Sequence, residues 1–150
     1  MRKKKVSLED IKLASEQMEV GFIEGASSHE NIQKARWQEF GTKGGASGGG
    51  WGGPIPERPF MRNSIRNNTE KYQAAIRNSV PSILSGKVSI QSVLRRIGEV
   101  AKKDMKEEMA SLSSPPNAPA TIKIKGFDNP LIDTKSMMND VRYKLKGIKK

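Results

Sequence analysis

Apolar and polar positions along this chain recur with two periods, and the switches between them mark its elements. Met18, Val20 and Phe22 alternate with Glu19, Gly21 and Ile23, which predicts a strand over 18–23. Ser27-Ser28-His29-Glu30 then fits a capping box. Ser27 would accept from the amide three residues on, and Glu30 would reach back to the Ser27 amide. The helix opened there is predicted to run to about Phe40, with Ile32, Ala35 and Phe40 facing inward. Gly41 should end it, because glycine takes a left-handed conformation without a Cβ clash.

From Phe60 to Leu84 the residues Ile65, Thr69, Tyr72, Ile76, Val80 and Ile83 recur at three and four, the spacing of one helical face. Pro81 lacks an amide, so a kink or break is expected near Val80, and Gly86 marks the end. A second long helix is predicted over 88–112. Val88, Ile90, Val93, Leu94, Ile97, Val100, Ala101, Met105, Met109 and Leu112 give its apolar face, and Arg95, Arg96, Lys102, Lys103, Lys106, Glu107 and Glu108 lie on the other. The prolines at 115, 116 and 119 stop it. Thr121–Lys125 is short and alternating, and 133–137 reads as a turn leading into a short helix. Val141, Tyr143 and Leu145 alternate with charged residues over 140–146, the clearest strand pattern in the chain. At the other end, 1–6 read as a disordered basic arm and 7–14 as a short helix.

The stretch 41–53 is mostly glycine and reads as a flexible loop carrying Trp51. It is not a phosphate cradle, since neither Gly-Lys-Ser nor Gly-Lys-Thr closes it. At 150 residues the chain has room for one domain, 1–150, but only 35% of residues are hydrophobic and 5% aromatic. Much of it is therefore expected to be loop or partner-contacting surface. The charge of +11 favours an anionic partner, with the basic residues densest at 2–5, 95–106 and 142–150. No zinc-finger, basic-zipper or RNA-recognition pattern accompanies them, so any DNA contact is expected to be to the backbone and without sequence preference.

Chemistry is sparsely supplied. There is no cysteine and one histidine, His29, in the first turn of a predicted helix. No nucleophile-elbow sequence occurs, and Glu9-Asp10 and Glu107-Glu108 are helical neighbours whose side chains diverge. The chain is expected to be no enzyme and to take no cofactor, metal or small-molecule substrate. No apolar run reaches the ~20 residues of a membrane helix, so no membrane contact is expected.

Two motifs stand out. Residues 37–42 read Trp-Gln-Glu-Phe-Gly-Thr, and 55–62 read Ile-Pro-Glu-Arg-Pro-Phe-Met-Arg. Pro56 and Pro59 stiffen the second, which sets two arginines around an aromatic. Such a loop suits a protein interface, although an arginine there could equally pair with Glu39 or Glu57. A third segment at 115–134 carries Pro-Pro-Asn-Ala-Pro-Ala-Thr, then Lys-Gly, then Pro-Leu-Ile-Asp-Thr, and Val-Gly-Phe-Ile-Glu-Gly stands at 20–25.

These four pieces, in this order and across roughly 18–146, resemble the neck or tail-completion family of tailed bacteriophages. Two departures are Lys135, where the family usually has glycine after Asp-Thr, and the long glycine-rich stretch between Thr42 and Ile55. The resemblance implies an α+β fold, with a small, mostly antiparallel sheet on a long helix, long loops and a basic N-terminal arm. It implies a structural virion protein, assembled in the bacterial host cytoplasm into a ring of copies at the head–tail junction, with sixfold symmetry expected. Its neighbours would be the head–tail connector and the tail tube or terminator proteins, with non-specific contact to genomic DNA. A tail-terminator ring is the near alternative, and a small basic DNA-binding protein the alternative of another class. The residues expected at contacts are Trp37, Phe40, Trp51, Arg58, Phe60, Arg62, Pro116, Pro119 and Leu131.

Overall fold

The computed structural model describes residues 16–44, 53–131 and 135–147. The basic arm, the helix expected at 7–14, Trp51 and most of the glycine-rich stretch lie outside the described residues. Strands β1 (Gln17–Gly21) and β2 (Arg142–Lys146) pair antiparallel, with Met18 opposite Leu145 and Val20 opposite Tyr143. Between them come α1 (His29–Phe40), α2 (Phe60–Leu84), α3 (Ile90–Ser111), α4 (Pro119–Lys125) and α5 (Ser136–Asn139). α2 and α3 pack together as a helical hairpin, and both strands lie against α3. The architecture is the α+β arrangement of a small antiparallel sheet on a long helix.

Helix α3 forms where the apolar period is most regular. The Ser89 side chain caps it by accepting from the Ser92 amide, and its buried face carries Val93, Ile97, Ala101, Met105 and Met109. Gly98 interrupts this face for a reason of packing. Glycine inside a helix costs about 1 kcal/mol relative to alanine. Here, however, a Cβ would lie 2.4 Å from Cδ2 and 2.7 Å from Cγ of Tyr143. The bare backbone lets the β2 ring rest directly on the helix, and Lys102 covers that ring 5.7 Å from its centroid.

The main core gathers Ala35, Phe60, Met105, Met109, Leu131 and Val141, with Val20 and Phe22 of the first strand region packed against it. Phe22 meets Phe60 edge to face, centroids 6.2 Å apart. Burying a side chain such as Phe60 contributes roughly 1.5–3 kcal/mol. The two hairpin helices are also tied by polar groups. The Tyr72 hydroxyl donates to Asp104 at 2.6 Å, and Lys71 Nζ meets the same carboxylate at 2.6 Å. Burial, then the bond to Asp104, pushes the Tyr72 phenol well above its usual range.

Several expectations need correction. Ser28, not Ser27, is the N-cap of α1, accepting from the Asn31 amide. Ser27 is buried one step earlier, where its hydroxyl accepts from the Ile23 amide and donates to the Asp140 carbonyl. Glu30 pairs with Lys34 rather than reaching back. The inward residues of α1 are Asn31, Ala35 and Glu39, while Phe40 is 65% exposed. Two of those three are polar because each has a specific partner. Asn31 donates to Asp140 at 3.0 Å, so the start of α1 is fastened to the entrance of β2.

α2 continues through Pro81 to Leu84 without the expected break. Pro81 removes only the bond that would reach back to the Arg77 carbonyl, and three helical residues follow it. The bonds from Ser85 to the Pro81 carbonyl and from Lys87 to the Ser82 carbonyl carry the chain into the turn at Gly86. Thr121–Lys125, alternating in sequence, is helical. Pro119 occupies the first turn, where its missing amide is harmless, and Gly126 ends the helix in the left-handed region.

Candidate functional site at the motif junction

The two motifs are each other's partners. Helix α2 begins at Phe60 after Pro59, which has no side chain to cap the free amides of the first turn. Glu39, in the last turn of α1, does so instead. Its buried carboxylate accepts from the Met61 amide at 2.9 Å and the Arg62 amide at 3.2 Å. A negative charge at a helix N-terminus is favourable because the exposed amides and the helix dipole are positive there. Arg62 closes the arrangement. Its Nε donates to Glu39 at 2.8 Å, one Nη2 bond goes to the Glu39 carbonyl, and another joins Glu57. Glu39 first, then Glu57, hold the Arg62 guanidinium above its usual range. The arginine paired with Glu39 and Glu57 is thus Arg62.

Arg58 serves a different set of partners. It is 3% exposed and donates from Nη1 to Gln38 Oε1, from Nε to the Pro115 carbonyl and from Nη2 to the Pro116 carbonyl, all within 2.7–2.8 Å. One guanidinium fork therefore pins the proline loop after α3 to the end of α1. Burial lowers its proton affinity, and Asp128 opposes that shift. Pro59, at φ −77 and ψ 57, has the geometry of an inverse γ-turn, closed by the Phe60 amide on the Arg58 carbonyl. That turn sends Arg58 to one side and Phe60 into the core.

Gly41 and Thr42 complete the contact. Gly41 has φ +69, and a Cβ there would stand 2.8 Å from the Ile55 carbonyl oxygen. The Thr42 amide donates to that same oxygen, and the Thr42 hydroxyl accepts from the Ile55 amide. The Glu-Phe-Gly-Thr box thus supplies a cap, an open approach and a clasp for the Ile-Pro-Glu-Arg-Pro-Phe-Met-Arg segment.

The residues expected at contacts divide accordingly. Arg58, Phe60 and Leu131 are buried within the chain, so their side chains hold this fold and present no free surface. The structure corrects their expected role as surface anchors. Arg62 is half-exposed and lies over the Phe40 ring, 5.3 Å from its centroid. Pro116 and Pro119 are exposed, Trp37 is partly buried, and Trp51 lies outside the described residues. The sequence left Gln38 and Asn117 without a role, and Glu39 entered only as a possible partner of an arginine, not as the cap of α2. A polar motif residue at the inward spacing of a helix, as Glu39 is relative to Ala35, was the available signal.

Two features of the surface could bind something. First, Ile65, Ile76, Val80 and Leu84 on α2 are between 40% and 57% exposed, an apolar stripe that α3 leaves uncovered. Second, two cavities of about 460 and 330 Å³ meet at Trp37, Gln38, Asn117 and Thr121, beside the Arg58 fork. His29 is exposed, and among the described residues no group of three His, Asp or Glu is placed to hold a metal ion. The site combines a stiffened loop, an exposed Arg–Phe pair and a groove.

No protein-family model, curated protein or solved structure matches this chain.

Proposed function

We propose that this chain is a structural subunit of a tailed-phage virion, repeated as a ring at the head–tail junction as a neck or tail-completion protein. One observation carries the reading: the motifs on which the resemblance rests form a single unit, with Glu39 and Gln38 of the first holding Arg62 and Arg58 of the second. Motifs that jointly fix a loop geometry would serve to present that loop at a constant angle, which a repeated contact requires. The exposed α2 stripe adds support, because a head-to-tail interface repeated by rotation closes into a ring and covers such faces. The ring would sit between the connector and the tail tube, with the +11 charge facing acidic neighbours or the passing DNA backbone. Negative-stain electron microscopy and sedimentation of the purified protein test this. Closed rings are expected at micromolar concentration and above. A monomer at every concentration, with no ring when purified connector is added, overturns the proposal. Salt-sensitive binding to unrelated duplexes by a persistent monomer would favour the DNA-binding alternative instead.

A further inference from the structure

The two cavities that meet at Trp37 form one groove with unlike ends. At one end the wall is apolar, made by Pro54, Ile55 and Pro56. At the other stand Lys34, Lys125 and Lys135. No aspartate or glutamate lines either half among the described residues. Lys34 also pairs with Glu30, and Lys125 donates one proton to the Asn129 carbonyl. An ammonium has three protons, so each retains donors for a ligand. Arg58 lines the wall as well but is 3% exposed, with three of its five N–H donors given to Gln38 and the proline carbonyls.

Where the halves join, Asn117 Nδ2 is buried with no hydrogen-bond partner among the described residues. A buried donor without a partner is unfavourable, and a ligand carbonyl would relieve that cost. The backbone amide of Asn117 donates to Asp128 at 3.0 Å, which holds the main chain at this point of the groove.

We propose that this groove binds an extended acidic peptide segment of another protein, its carboxylates toward Lys34, Lys125 and Lys135 and an apolar side chain between Trp37 and Ile55. A main-chain carbonyl of the segment accepts from Asn117 Nδ2. The volumes suit a few residues of extended chain, since ligand sites commonly enclose about 300–1,000 Å³. Nucleic acid fits less well. A phosphate backbone needs cations spaced along its whole track, with aromatic faces for its bases. Here the cations cluster at one end, and the other end is proline and isoleucine. The inference does not depend on the ring reading, because a monomer presents the same groove.

The test uses the full chain carrying Trp51→Phe, which leaves Trp37 as its sole tryptophan. The probes are the acetylated peptide Leu-Pro-Gly-Asp-Glu-Asp-Glu, the same residues in reverse order, and versions of both with lysine for every acid. One acidic peptide is expected to saturate a change in Trp37 emission with a Kd on the order of 10–100 μM, and its lysine version to bind about tenfold more weakly or less. Asn117→Ala and Lys135→Gln are each expected to weaken binding about threefold or more, with thermal melting unchanged. No saturation by either acidic peptide, equal affinity for the lysine versions, or indifference to both substitutions overturns the proposal. Tighter binding of an oligothymidylate that the acidic peptide fails to displace overturns it in favour of nucleic acid.

Discussion

Replacing Glu39 by alanine should damage this fold far more than its place in a short surface motif suggests. The carboxylate is 1% exposed and accepts from two main-chain amides of α2 as well as from Arg62. A hydrogen bond to a charged group contributes about 1.5–3 kcal/mol, and an amide left buried without a partner adds its own desolvation cost. The first turn of α2 begins at the fully buried Phe60 and lies against the end of α1, so water replaces the lost cap poorly. We expect Glu39→Ala to cost about 3 kcal/mol, or roughly 6–12 °C in melting temperature for a chain of this size. Glu39→Gln keeps the shape and one acceptor oxygen but turns an amide group toward a backbone N–H, and should cost about half as much. Arg62→Ala should cost less than either, because Arg62 is half-exposed and water can replace its bonds. Urea denaturation followed by circular dichroism measures all three. A loss under about 1 kcal/mol for Glu39→Ala, or a larger loss for Arg62→Ala, would refute the claim that the carboxylate acts chiefly as the α2 cap.

Two further predictions concern polar groups that tie distant segments together. Arg58→Lys should destabilise the chain by about 2 kcal/mol or more in the same assay, because an ammonium cannot reproduce a planar fork toward Gln38, Pro115 and Pro116; full retention of stability would show the fork to be incidental. Burial alone would raise the Asp140 carboxyl, but bonds from Asn31 and Ser28 and the charge of Arg142 hold it below its usual range. Its contribution is therefore complete above its unfolded pKa, about 4, and lost as pH falls through the depressed folded value, so Asp140→Asn should flatten the acid side of the stability–pH curve. Parallel acid limbs for wild type and variant would contradict this.

The long helices were readable in the sequence because their signals are local, whereas the short α4 read as alternating. The start of α2 and the strand at 142–146 follow from periodicity, and the Ser89 cap lies just inside the apolar run of α3. What escaped depends on residues far apart in the chain. The capping serine shifted by one because Ser27 and Ser28 are chemically alike, and only the Asp140 carbonyl decides which turns inward. Asn31 and Glu39 took the inner positions of α1 because polar partners await them there, which an apolar pattern cannot reveal. Arg58, Phe60 and Leu131 were prominent for their chemistry. Prominence does not tell whether a side chain meets its own chain or another, and their near-complete burial decides for their own. Asn117 stood unremarked in a proline-rich segment, because only the folding of α4 beside α1 makes a groove of its surroundings.

The pairing of Gln17 with Lys146 orders the events of folding. Joining two strands from opposite ends of the chain closes a loop on the order of 100 residues, for roughly 4 kcal/mol of entropy before any contact compensates. The α2–α3 hairpin needs only a short turn, and once formed it brings the ends of that loop closer together while supplying the helix on which both strands rest. Local contacts form faster than distant ones, so the hairpin comes first and the sheet last. On a ribosome the consequence is temporal. Until Val141 and Tyr143 have emerged, Met105 and Gly98 stay uncovered on α3, and the nascent chain lacks its finished core until β2 has been made.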